Sequence, residues 1–180
     1  MTQTLRQTSI ADGELVTFEL SNEVLAVPTA QLREVLEPSR ITRVPGADEF
    51  VSGLLNVRGA VVPLADLRVP LRMPRDVAAE DPRILVLELP LAGQDTIVGI
   101  LADSVYAVTR IELDALEDIP PVGTRWPPRF VSAVGRWGDG FVTIPDLPVI
   151  FADYLSGQHG HTETPGIAGK PTETEAKTCD

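Results

Sequence analysis

Two histidines and one cysteine are the chain's only imidazole and thiol groups, and His159, His161 and Cys179 all lie near its C-terminal end. The long stretch before them therefore has no Ser-His-Asp or Cys-His nucleophilic arrangement. It also lacks the His and Cys sets that commonly hold zinc. His159 and His161 flank one glycine and could hold a stray metal weakly; two solvated histidines are the simpler explanation. No P-loop occurs and no G-x-G-x-x-G follows a strand pattern. Gly135-Arg-Trp-Gly138-Asp-Gly140 is glycine-rich, but turn formation suffices to explain it. What remains is carboxylate chemistry. Asp66, Asp103 and Asp146 each follow an apolar run, and two of them could serve as acid and base in a hydrolase. An Asp in that position more simply caps the next short element. Capping is the expectation, with no catalytic residue, metal or cofactor.

Arg58 suggests recognition instead. It stands at a hairpin corner, flanked by apolar strands and followed by Gly59, with Asn56 and Gly53 on the same element. A corner arginine is usually just solvated. The alternative is a permanently charged planar fork offered to a partner's carboxylates or carbonyls. Leu32 and Glu34 fall on a segment, Thr29 to Leu36, whose apolar spacing predicts a short helix capped by Thr29.

The elements that must position these residues are duplicated. Phe50 to Leu67 reads FVSGLLNVRGAVVPLADL, and Phe130 to Leu147 reads FVSAVGRWGDGFVTIPDL, 80 positions later and without a gap. Phe50, Val51, Ser52, Val62, Asp66 and Leu67 recur as Phe130, Val131, Ser132, Val142, Asp146 and Leu147. A fixed-distance echo marks a repeated structural unit. Each copy carries a Phe-Val start, two apolar strands about a glycine turn, and Asp-Leu. Gly59 suits the first turn because it takes positive φ freely. Pro63 has no N–H and belongs at an edge or bulge.

A second echo precedes the first. Leu15 to Leu20 and Glu23 to Pro28 read as a hairpin about Ser21-Asn22. Arg83 to Leu89 and Thr96 to Ala102 repeat it around a longer loop, Pro90 to Asp95. Asp103 to Val108 then resembles the helix predicted at Thr29. Ile41 to Val44 reads as one more short strand, Glu112 to Pro128 as a long loop, and Asp146 to Leu155 as a helix confined by Pro148.

Composition bounds the partners. With 15 basic and 26 acidic residues the net charge is -11, which opposes binding to nucleic acid or to anionic lipid. Apart from Lys170 and Lys177, every basic residue is arginine. Residues 1–13 are expected to be a flexible arm and 156–180 a disordered polar tail. The opening residues have no signal-peptide pattern and no apolar run approaches membrane-helix length, so a cytoplasmic location is expected.

From Leu15 to Phe151 the chain resembles the CheW-like family, most specifically over G-L-L-N-V-R-G-A-V-V-P-L-A-D-L-R, Gly53 to Arg68. The resemblance implies a mostly β fold of two five-stranded, SH3-like β-barrels with a core between them, intertwined over residues 14–155. It implies a non-enzymatic adaptor that binds chemoreceptor tips and the regulatory domain of a CheA-type histidine kinase at membrane receptor arrays. Arg58 and Glu34 match family positions tied to receptor binding, with Asn56 beside them; Gly53 and Leu32 match positions tied to kinase contact. An adaptor of another chemosensory pathway, for pili or gliding, would use the same surfaces. The chain departs from the family pattern before Phe50, at Pro145 and at Trp126-Pro127-Pro128.

Overall fold

A computed structural model describes residues 14–38, 40–51, 53–76, 78–110, 116–117 and 125–156. The expected arm lies outside the described residues, as does the expected tail beyond Ser156. The first hairpin joins β1 (Glu14–Leu20) to β2 (Glu23–Pro28). Its turn residues Ser21 and Asn22 have φ of 51° and 63°, the left-handed pair whose twist matches that of the flanking strands. A single 3-10 turn, Thr29–Gln31, leads into β3 (Leu32–Leu36). The helix predicted there is therefore a strand. Leu32, Glu34 and Leu36 alternate with the more exposed Arg33 and Val35, the period of a half-buried strand.

The first copy of the repeat supplies β4 (Thr42–Arg43), β5 (Gly53–Val57) and β6 (Ala60–Ala65). Pro63 lies opposite Leu54 on β5, one residue before β6 begins to pair with the neighbouring strand at Leu64. The expected edge or bulge is therefore not found: β6 lies inside its sheet with an unbroken register to β5, and the proline is accommodated where pairing to the other neighbour has not yet begun. β7 (Arg83–Leu91) and β8 (Gln94–Ala102) are longer than expected. Ala92 and Gly93, with φ of 50° and 79°, turn the chain tightly where a loop from Pro90 to Asp95 was expected. β9 (Ser104–Arg110) replaces the second predicted helix. β10 (Leu116–Glu117), β11 (Val131–Trp137) and β12 (Gly140–Pro145) complete the second copy, and α1 (Leu147–Leu155) follows.

The strands form two sheets. Sheet I runs β10-β11-β12-β2-β1-β9, and sheet II runs β4-β5-β6-β8-β7-β3. Each has five strands of five or more residues plus one of two residues, against five expected. The two orders are the same once the copies are matched, except that the opening hairpins are exchanged. The β1–β2 hairpin joins the second copy and β7–β8 joins the first, each through a short parallel contact, Thr143 with Leu25 and Leu64 with Gly99. The chain therefore crosses between sheets at Thr29–Gln31 and again at Asp103.

Three apolar clusters follow from this weave. Leu15, Ala26, Ala133, Val142 and Ile144 fill sheet I, while Leu55, Val57, Val62, Leu64, Ile84 and Val86 fill sheet II. A larger shared core takes residues from both, among them Phe18, Leu25, Leu87, Ile100, Phe50 and Phe130. Phe50 and Phe130, equivalent in the repeat, are each 1% exposed, and burying such a ring is worth about 2–3 kcal/mol. Their carbonyls accept the N–H of Asp66 and Asp146 at 2.8 and 2.9 Å, so both copies lock their ends in the same way.

Candidate partner-docking site

The Arg58-Gly59 corner is a two-residue turn with φ of 52° and 87°. Left-handed backbone is uncommon for arginine, and the corner is held by a specific bond. The Gly59 N–H donates to Asn56 Oδ1 at 2.9 Å, a local bond that asparagine makes readily in turns. From this corner the Arg58 side chain reaches back to Glu34 across sheet II. There its Nε donates to Glu34 Oε1 at 3.2 Å and its Nη2 to Oε2 at 3.0 Å, a two-pronged pairing. Glu34 lies on β3, at one end of sheet II, and the corner belongs to strands near the other end. The ion pair therefore bridges the curl of the sheet.

Its electrostatics follow from that geometry. The hydrogen bonds from Arg58 hold the Glu34 carboxyl below its ordinary range, and Glu34 in turn raises the Arg58 guanidinium. Glu34 is 24% exposed and Arg58 82%, so most of the fork faces solvent. Val61, opposite Asn56 in the register, is 70% exposed, and Val35 beside Glu34 is also exposed. A projecting cation with the uncovered apolar Val61 on the same hairpin suits recognition of a partner surface.

The structure gathers three of the five sequence-selected residues, Arg58, Glu34 and Asn56, at this corner. Gly53 and Leu32 lie elsewhere. Gly53 is buried at the far end of β5, paired with Arg43 of β4. A Cβ there would stand 2.5 Å from Ile41 Cγ2, so glycine is what lets the β4 segment approach. Leu32 is half-buried against the shared core, opposite Leu87.

The three aspartates are committed to the fold. Asp146 caps α1 by accepting the Val149 N–H at 3.2 Å, as expected. Asp66 accepts the Arg68 N–H at 3.0 Å. Asp103 caps no helix, because a strand follows it; it accepts from Ser21 N–H at 2.6 Å and Arg68 Nη2 at 2.9 Å. Among the described residues no group of three or more His, Cys, Asp or Glu side chains could hold a metal ion.

Sequence reasoning missed the counterpart site on sheet I. There Tyr106 of β9 stacks on Trp137 at the end of β11, with ring centroids 5.5 Å apart, and Phe141 is 59% exposed. A signal was available: Phe141 stands 80 residues after Val61, so both copies expose an apolar residue just past the turn.

The family model described as CheW-like domain matches residues 14–154. Chemotaxis protein CheW of Klebsiella aerogenes is 25% identical over 134 residues, covering 74% of this chain and 78% of the relative. Protein PilI of Pseudomonas aeruginosa is 27% identical over 130 residues, covering 72% and 70%. The crystal structure of the scaffolding protein TtCheW from Thermoanaerobacter tengcongensis superposes with a TM-score of 0.67 at 29% identity, covering 77% of this chain and 92% of that one. With the family model matched over residues 14–154, most of its length, the chain belongs to the CheW-like family.

Proposed function

We propose that this chain is a non-enzymatic adaptor that couples chemoreceptors to a CheA-type histidine kinase in bacterial chemotaxis. The family and the scaffolding relative support the reading. The observation that carries it to particular residues is the Arg58 fork, pinned by Glu34 on one side and open to solvent on the other. Glu34 fixes the guanidinium before a partner arrives, so less rotamer freedom is lost on binding. The outward part of the fork meets carbonyls or carboxylates on the receptor tip, and Val61 supplies apolar contact. Few anchors suffice for a transient signalling interface.

The kinase takes the other end of β5. Gly53 admits Ile41 and so shapes the β4 edge, where Ile41 and Val44 are exposed. Leu32 supports β3 from beneath. The adaptor works in the cytoplasm at receptor arrays; among the described residues no helix is long and apolar enough to cross a membrane. Asp66, Asp103 and Asp146 serve structure rather than hydrolysis. A role in a pilus chemosensory pathway draws on the likeness to PilI and would use the same corner with other partners.

Reconstitution tests the reading. Purified chain is mixed with a receptor cytoplasmic fragment and the kinase, and autophosphorylation is followed with labelled ATP. Receptor-dependent change in kinase output is expected. Unchanged output together with no binding to either protein contradicts it.

A further inference from the structure

We propose that Arg68 and Asp103 form a clasp between the two sheets that sets their mutual orientation, and with it the angle between the docking corner of sheet II and its aromatic counterpart on sheet I. The angle's consequence for signalling rests on the adaptor reading; the clasp itself does not. Asp103 occupies the second crossing, where the chain leaves β8 of sheet II for β9 of sheet I. Its carboxylate takes one hydrogen bond from each side. The Ser21 N–H, in the β1–β2 turn of sheet I, donates to Oδ2 at 2.6 Å. Arg68 Nη2, in the segment after β6 of sheet II, donates to Oδ1 at 2.9 Å. Both ends are anchored further. The Ser21 hydroxyl donates to the Pro74 carbonyl at 2.5 Å. Arg68 gives its N–H to Asp66, whose own N–H is held by the Phe50 carbonyl. Asp103 also donates its N–H to the Glu19 carbonyl of β1 at 2.8 Å.

Asp103 and Ser21 are buried, each 6% exposed, and the half-buried Arg68 side chain is 13% exposed. Burying such a pair is a poor way to gain stability. Its distinctive contribution is direction. The shared apolar core attracts without specifying an angle, whereas two short bonds to one carboxylate fix one.

The duplication shows that the Phe-to-Asp lock of each copy does not require an arginine beside it. The residue 80 positions after Arg68 is Pro148, within the first turn of α1. The Asp-to-Phe carbonyl bond survives in both copies without it. The first crossing, Thr29–Gln31, carries no charged side chain. Arg68 and Asp103 are therefore additions to one side of a near-symmetric frame.

The test is a distance between the sheets in the full chain. Cys179→Ser removes the native thiol, and cysteines at Asp95 (β8, sheet II) and Asp139 (β11–β12 turn, sheet I) take spin labels for pulsed dipolar spectroscopy. A single narrow distance distribution is expected. Arg68→Gln and the isosteric Asp103→Asn should each broaden or split it while circular dichroism and a cooperative melt are kept, and Arg68→Lys should partly restore the narrow peak. Folded variants whose distributions overlay the parent's would overturn the proposal. So would loss of fold in both, because the pair would then hold the fold rather than an angle. If the distribution broadens but the parent never couples receptor to kinase, the adaptor reading fails and the clasp stands.

Discussion

At the β5–β6 corner the edge strand of sheet II reaches the hairpin through an ion pair, Glu34 with Arg58; at the β11–β12 corner the edge strand of sheet I reaches it through a stack, Tyr106 on Trp137. The corners are 80 residues apart and share a frame, yet their interiors differ in a compensating way. Sheet II fills its centre with Leu55 and Val57. The equivalent positions of sheet I are Gly135 and Trp137, and the indole packs against the cluster of Leu15, Ala26, Ala133, Val142 and Ile144. One corner is closed by a half-buried aromatic stack and the other by a solvated charge pair. An exposed ion pair adds little stability, so the first corner is free to be optimised for contact.

Gly53 and Ala133, equivalent in the repeat, give the strongest way to sharpen the contrast. Ala133 tolerates its methyl, whereas Gly53→Asp places a Cβ against Ile41 and buries an unpaired carboxylate. A loss of about 4 kcal/mol or more is expected from urea denaturation. Trp137→Ala comes next, with a loss of about 3 kcal/mol as the plug of sheet I disappears. Arg58→Ala, its counterpart, should leave the thermal midpoint unchanged; equal losses at the two corners would break the comparison. Asp146→Ala should cost about 1 kcal/mol as the cap of α1 is removed, measured by thermal melting.

The smallest effect is in pH. Glu34 has its carboxyl lowered by Arg58, so the ion pair's contribution is fully present above the unfolded carboxylate range. It is lost as pH falls through the lower folded value. Carboxyl-carbon NMR should place Glu34 below an ordinary glutamate, and Arg58→Gln should return it toward the ordinary value. Trp137 fluorescence should not follow the Glu34 titration, since Glu34 lies on the other sheet and the Tyr106 hydroxyl beside Trp137 donates to Glu19 instead.

Much of this frame was legible in the sequence because its anchors are identical residues at fixed distance: Phe50 with Phe130, Asp66 with Asp146. Strand β3 was not legible. Leu32, Val35 and Leu36 fit a helical face, and the apolar Val35 on the outer side disguised the true alternation with Glu34. Asp103 to Val108 misled for the same reason, since Val105 and Val108 lie three residues apart. The Glu34–Arg58 pair joins residues 24 apart and appears only when β3 is recognised as the far edge of the curled sheet. The Asp103–Arg68 bond was hidden because its partners sit on different copies, linked only by the hairpin exchange.

Titration calorimetry of a receptor cytoplasmic fragment and of the kinase regulatory domain, each into wild type and into Arg58→His, tests the central claim most directly. The account predicts that receptor affinity falls at least about tenfold, or about 1.4 kcal/mol, while kinase affinity is unchanged. Receptor binding that survives the substitution intact, or parallel loss of both partners, would contradict it.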